Sequence, residues 1–194
     1  MSTIIDDALD QHIAARVHAE RTGRGWSLDE LSERSGVSRA MISKVERGES
    51  SPTASLLGRL SSAFGLTLSQ LLARAEQGAG RLLNRQAEQE RWRDPETGFE
   101  RRALTPPSSA TPLELVAGEL PPKAKVEYPA TAFGFIEDQQ IVVLAGRLSL
   151  TQGAQQYELR AGDCLRLGPP ASCRFENPGA VPCRYLVAVL RRAR

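Results

Sequence analysis

Histidine is nearly missing from this chain. Among its 194 residues there are two, His12 and His18, both close to the N-terminus. The rest of the chain therefore cannot build the clustered-imidazole sites that iron, manganese, nickel or zinc favour. Cysteine is scarce as well. Cys164, Cys173 and Cys183 fall near the C-terminus without a zinc-type spacing, and an odd count suggests free thiols in a reducing compartment. No apolar run is long enough to span a bilayer, and no basic segment followed by an apolar core opens the chain. Neither a membrane partner nor a secretory signal is expected, and the expected location is the cytoplasm. Excess charge is lacking too. The net charge is +2, and residues 1–75 hold nine Lys/Arg against nine Asp/Glu. A large basic surface is excluded there, so any attraction for a polyanion must come from uneven placement. An apolar fraction of 41% and a charged fraction of 25% are those of an ordinary globular protein, long enough for one large domain or two small ones.

The most informative stretch runs from Trp26 to Arg47. Ser27 is placed to cap a helix carrying Leu28 and Leu31 on one face, and Gly36 to end it with a positive φ. Ser38 is placed to cap a second helix whose apolar face is Met41, Ile42 and Val45. The other face carries Arg39, Ala40, Ser43, Lys44 and Arg47, small, polar or cationic side chains suited to base edges and phosphates. Two short amphipathic helices around a tight turn are helix-turn-helix grammar, and the second would be the recognition helix.

Residues 4–21 precede it as a helix, with Ile4, Ile5, Leu9, Ile13 and Val17 at near-helical spacing. Thr53 is placed to cap a fourth helix containing Leu56, Leu57, Leu60 and Phe64, ended by Gly65; Thr67 heads a fifth with Leu68, Leu71 and Leu72. This block resembles the lambda-repressor-like (Xre-type) DNA-binding family. The residues that carry the likeness are Trp26 to Leu28 with Glu30 to Ser32; Ser35 to Ser38 with Ile42 to Gly48; Ser51 to Thr53; and Leu66 to Ser69 with Leu71 and Leu72, within about residues 13–72. The resemblance implies a five-helix DNA-binding domain, placed at residues 4–74.

Residues 75–94 are polar, charged and interrupted by Gly78 and Gly80, and read as a linker. Its Arg81, Arg85, Arg91 and Arg93 fit either a solvated tether or contacts to DNA backbone, and Trp92 is expected to pack on the second domain. From residue 95 the grammar changes to short alternating runs between Gly- and Pro-rich turns, the pattern of a barrel or jelly roll. The order Val143, Leu144, Gly146, Leu148 and Leu150, then Tyr157, Leu159, Gly162 and Asp163, then Pro169, Phe175, Asn177 and Pro178 is similar to the cupin family over roughly residues 112–190. The fold class expected is therefore α+β and multidomain, with a C-terminal cupin β-barrel over residues 95–194.

The cupin resemblance implies a metal-ligand pattern that this sequence lacks. Phe133 and Phe135 stand where a His-x-His belongs, Gln139 where the Glu belongs and Cys173 where the third His belongs. No metal, no cofactor and no catalytic residue are expected. Strand alternation across 133–143 turns Phe133, Phe135, Ile141 and Val143 inward, with Gln139, Cys173 and Tyr128 as polar points. Such a lining suits a small organic ligand, and it equally suits a filled core. Cys173 and Cys183 would lie nearly opposite if their strands formed a hairpin, which opens a redox reading; inert buried thiols are the alternative.

The function expected is that of a sequence-specific DNA-binding transcriptional regulator rather than an enzyme. Its expected partners are double-stranded DNA with a near-palindromic operator, a second copy of the chain, and a small-molecule effector in the barrel. The DNA-contacting residues would be Ser27, Ser38, Arg39, Ala40, Ser43, Lys44, Arg47 and Thr53. Arg39 and Lys44 are placed for bases, and Ser27 and Thr53 for phosphates at helix N-termini. Arg47 is placed for a phosphate or for an ion pair with Glu46 or Glu49. Val142, Leu144, Leu148 and Leu150 are candidates for a self-association face. Two other functions fit the same modules: a cupin enzyme with an appended DNA-binding module, or an antitoxin-like regulator that binds protein.

Overall fold

The computed structural model describes residues 3–72, 82–106 and 111–191, with side chains from Asp10 onward. The chain divides into two compact units, Met1–Arg74 and Ala75–Arg194. The side chains of Ile4, Ile5 and Leu9, and the linker residue Arg81, lie outside the described residues.

The first unit is built from α1 (Thr3–Gly23), α2 (Leu28–Ser35), α3 (Arg39–Glu46), α4 (Ala54–Phe64) and α5 (Leu68–Leu72). Each of the last four begins at a hydroxyl that takes an orphan backbone N–H. Ser27 Oγ accepts from Glu30, Ser38 Oγ from Met41, Thr53 Oγ1 from Leu56 and Thr67 Oγ1 from Gln70. Gly36 and Gly65 end α2 and α4 at φ +66 and +68, where a side chain would be strained. With the ends satisfied locally, the apolar stripes meet inside. Ile13, Val17, Leu31, Ile42, Leu57, Leu60 and Leu71 are all sealed from solvent. Met41 is only half-buried, at the margin of the α3 stripe.

The second unit is a double antiparallel sheet. Its strands are β1 (Arg91–Arg93), β2 (Glu100–Ala103), β3 (Leu113–Leu120), β4 (Lys125–Tyr128), β5 (Ile136–Ala145), β6 (Arg147–Gln152), β7 (Gln155–Arg160), β8 (Cys164–Arg166), β9 (Cys173–Glu176) and β10 (Cys183–Arg191). One sheet has the order β1-β2-β3-β10-β5-β8 and the other β4-β9-β6-β7. Their inner faces meet through rings: Phe175 of the smaller sheet stacks on Tyr185 of the larger, with centroids 5.9 Å apart. Asn177 locks the turn after β9. Its amide donates to the carbonyls of Leu120, Pro121 and Val181 at 2.8–3.1 Å.

Several sequence expectations are corrected here. The stretch read as linker up to residue 94 already contains β1, which pairs with β2 and buries Trp92. No strand forms over 133–135. Pro129 fixes the start of a 3-10 turn, Ala130–Phe133, and β5 begins only at Ile136. The run from Val142 to Leu150, expected to share one outer face, is not one strand either. The chain turns at Gly146 (φ +80), where a Cβ would stand 2.7 Å from the Pro182 carbonyl oxygen. That turn moves the chain from the larger sheet to the smaller and reverses the inward phase. Ile141 and Val143 face the core before it, Leu148 and Leu150 after it, so the last two cannot belong to an outer face. Cys173 and Cys183 do not share a hairpin: β9 pairs with β4 and β6, and β10 with β3 and β5.

Candidate functional site

The recognition-helix side of the first unit is built on two anchors. Beneath α3, Glu46 takes both nitrogens of a fork from Arg21 of α1, Nε at 2.6 Å and Nη2 at 2.8 Å, and lies 3.1 Å from His18 Nδ1. Burial pushes the Glu46 carboxyl up, but the hydrogen bonds from Arg21 and His18 outweigh it and hold the group below the usual carboxylate range. Arg21 also donates to the Trp26 carbonyl at 2.8 Å, which ties α1 to the segment entering α2. At that entry Trp26 stacks on Phe64, with Arg24 and Arg34 over its ring at 5.6 and 4.4 Å.

On this support Ser38, Arg39, Ala40, Lys44 and Arg47 are exposed and Ser43 is half-buried, on the side opposite Ile42 and Val45. The cations are not equally available. Arg47 grips Glu49 through two 2.7 Å hydrogen bonds and donates also to Ser43 Oγ. Glu46 is committed to Arg21, so Glu49 is the partner of Arg47. Arg39 stands 3.6 Å from Asp29. Lys44 makes no ion pair among the described residues.

The two helix N-termini expected to hold phosphate differ in kind. The first turn of α2 carries Asp29 and Glu30, whose charges oppose a phosphate, and Ser27 and Glu30 close a capping box with the Ser27 N–H donating at 2.6 Å. The first turn of α4 has no acid, and Thr53 is half-buried at its head. Of the two, α4 is the better anion site.

A model of the helix-turn-helix family HTH_3 matches residues 17–71. The N-terminal unit is an Xre-type helix-turn-helix domain. The chain is 27% identical over 164 residues to the HTH-type transcriptional regulator SutR of Escherichia coli (strain K12), covering 82% of this chain and 83% of that protein. It superposes on the crystal structure of an HTH_3 family transcriptional regulator from Vibrio cholerae with a TM-score of 0.80 and 26% identity, covering 97% and 99% of the two chains. It aligns with the cupin domain of an XRE family transcriptional regulator from Enterobacter cloacae at a TM-score of 0.44 and 14% identity, over 49% of this chain and 98% of that one. The chain is thus homologous to HTH-type transcriptional regulators, and its C-terminal unit has the double-sheet form described above.

In that barrel the expected pocket residues are only partly brought together. Ile141, Gln139 and Cys173 are buried. Tyr128 is half-buried and touches Phe133 and Phe175 edge-on, at 6.3 and 5.9 Å. Phe133 is half-buried and comes from the 3-10 turn rather than from a strand, and Phe135 is half-buried beyond it. Gln139 Oε1 is buried with no hydrogen-bond partner. Burial raises the thiols of Cys173 and Cys183 to about 11, which makes them poor nucleophiles. Among the described residues no group of three His, Cys, Asp or Glu could hold a metal ion, and no helix is long and apolar enough to cross a membrane.

Sequence reasoning missed the charged part of this interior. Arg101 lies in the inward phase of β2 with Phe99, and its register partner is Gly118. Crowding around its guanidinium lowers its pKa, although the residue as a whole keeps some exposure. Glu114 is buried on β3 and 3.1 Å from Arg191. Burial raises the Tyr185 hydroxyl far above its ordinary value. The signal was the period-two phase: Glu114 falls in step with Val116, Gly118 and Leu120.

Proposed function

We propose that this chain is a dimeric, sequence-specific DNA-binding regulator whose barrel pairs the subunits and responds to a small molecule. One observation carries the DNA-binding part. An exposed face of Ser38, Arg39, Ala40, Ser43 and Lys44 sits on a recognition helix that is capped at its start and tied to α1 through Glu46. Arg39 and Lys44 would meet bases. Ser38 and Ser43 would meet bases or phosphates, and Thr53 a phosphate at the head of α4. Arg47 reaches a phosphate only by giving up Glu49.

Dimerisation is supported by the outer face of the six-stranded sheet. An antiparallel sheet with one wet face should alternate apolar and polar residues. Here β10 is apolar on both faces from Tyr185 to Leu190, and β5 from Ile141 to Leu144. The register lines Leu115 with Ala188, Leu113 with Leu190, and Ala117 with Leu186 and Val142. Leu113, Leu115 and Leu144 are 46%, 40% and 52% exposed. A second copy covering this face removes that surface from water, and it presents two recognition helices to one operator. A DNA turn of ~34 Å then separates the half-sites. Ligand response is supported by the unpartnered Gln139 Oε1 and the charged inner groups, which give a bound molecule polar points to meet.

Selection of bound DNA from a random pool tests the core of this reading. A near-palindromic motif is the expected result, and a pool with no enriched motif overturns it. The variant Leu186→Lys tests the dimer face. Sedimentation should shift it from dimer to monomer with the fold retained, and an unchanged dimer would place the interface elsewhere.

A further inference from the structure

The first turn of α2 presents two carboxylates with different fates. Glu30 is absorbed by the helix itself: it accepts from the Ser27 N–H at 2.6 Å, and Ser27 accepts from the Glu30 N–H. The backbone and side-chain hydrogen bonds from Ser27 hold Glu30 below the ordinary carboxylate range. Asp29 is not used this way. Its Oδ2 lies 3.6 Å from Nη1 of Arg39, which opens α3, and the two side chains are 68% and 65% exposed. The pair thus bridges the start of one helix and the start of the other, on the surface that carries the recognition residues.

An exposed acid on a DNA-facing surface is unfavourable beside phosphate. It is favourable at base edges. Cytosine presents its N4 amino group as a donor, which Asp accepts, and guanine presents O6 and N7, which an arginine takes with two parallel hydrogen bonds. These groups lie on the two bases of one G·C pair. Residues at the start of a recognition helix are those that reach base edges in this kind of domain. A carboxylate beside the guanidinium also keeps it from swinging to a phosphate, where it would carry no sequence information.

We propose that Asp29 is a specificity-determining residue. It holds Arg39 toward guanine and accepts from a cytosine amino group, so that α2 and α3 together read one G·C pair in each half-site. This rests on the sequence-specific DNA binding proposed for the chain. A purely structural Asp29, favourable only at the positive end of α2, would leave base preference unmoved, because Glu30 already serves that end.

The experiment uses the full chain. Wild type, Asp29→Ala, Arg39→Ala and the double variant are each taken through selection from a random DNA pool. Their affinities are then measured for the selected operator and for one with the implicated G·C pair replaced. Wild type should prefer the intact operator by about tenfold or more, the discrimination of one good arginine–guanine contact. Asp29→Ala and Arg39→Ala should each erode the preference at the same base pair, and the double variant should fall no further than Arg39→Ala alone. Asp29→Ala should also bind unrelated DNA at least as tightly as wild type does, since a negative charge has gone. An exposed ion pair contributes little to stability, so its melting temperature should match wild type; if it does not fold, Asp29→Leu, which can neither pair with Arg39 nor accept from cytosine, gives the same reading with the size kept. The proposal is overturned if Asp29→Ala changes intact and altered operators by the same factor, or if the two single variants affect different positions. A wild-type pool with no enriched motif is a separate result and overturns the DNA-binding reading before any variant is compared.

Discussion

The helical unit and the barrel handle polar groups in opposite ways. In the helical unit, helix ends are satisfied by residues three positions away: Ser27 with Glu30, Ser38 with Met41, Thr53 with Leu56. Its part-buried ion pair, Arg21 with Glu46, has both partners held in a fork. In the barrel, the inner polar groups come from distant strands, with Arg101 on β2, Glu114 on β3, Gln139 on β5 and Tyr185 on β10. One unit holds a carboxylate that its partners keep charged, and the other holds thiols and a phenol that burial keeps neutral.

The largest expected effect tests the first half of that contrast. Glu46→Ala leaves the part-buried Arg21 without its carboxylate, and should cost the helical unit about 3 kcal/mol, the top of the range for losing hydrogen bonds between charged groups. The chain has two tryptophans, Trp26 and Trp92, so Trp92→Phe leaves fluorescence reporting on the helical unit alone. Urea unfolding of that background, with and without Glu46→Ala, measures the loss. The same contrast predicts opposite pH limits. The depressed Glu46 value contributes stability that is present above the unfolded carboxylate value of ~4.3 and is lost as pH falls through the folded value. Raised Cys173 and Cys183 act with the other sign. Their contribution is present below the unfolded thiol value of ~8.5 and is lost as pH rises toward about 11. Acid should loosen the Trp26 signal first, and alkali the Trp92 signal; loss of both together at either limit would dissolve the distinction.

A middle-sized effect tests the barrel. At Gly118 an added Cβ would stand 2.5 Å from Tyr185 Cζ, in the ring that stacks on Phe175. Gly118→Ala should destabilise the barrel by about 1–3 kcal/mol, the cost of overpacking a closed core. In a Trp26→Phe background the Trp92 transition should move; with Trp92→Phe instead, the Trp26 transition should not.

The same contrast explains what could be read from the sequence. Caps, turn glycines and apolar stripes are local, so α2, α3 and α4 follow from Ser27, Ser38, Thr53, Gly36 and Gly65 without knowledge of the rest. The partners of the recognition residues are less local. Glu49 is two residues from Arg47, but nothing in the sequence joins Asp29 to Arg39. In the barrel, strand existence was legible from alternation, yet facing depends on pairing. The turn at Gly146 reversed the inward phase and moved Leu148 and Leu150 from an expected outer face into the core. Pro129 likewise replaced an expected strand with a turn and took Phe133 off the alternation that had pointed it inward.

The smallest expected effect bears on whether the barrel interior is core or receptor. Gln139 is buried, and its Oε1 finds no partner. A buried acceptor left unpaired costs stability, and an apolar side chain of similar size removes that cost. If the interior exists only to fill the barrel, Gln139→Leu should be neutral or should stabilise it by up to about 1 kcal/mol, with no further consequence. If the amide is kept for a ligand, the same stability change should come with loss of the effector's influence on operator binding. Ile141, sealed two residues away on the same strand, supplies the control. Ile141→Val should lower stability by about 1 kcal/mol while leaving any effector response in place. The two substitutions thus move stability in opposite directions, and only a receptor role for Gln139 makes the stabilised variant the unresponsive one. A Gln139→Leu barrel that is clearly destabilised would mean that the amide is structural and that the pocket lies elsewhere.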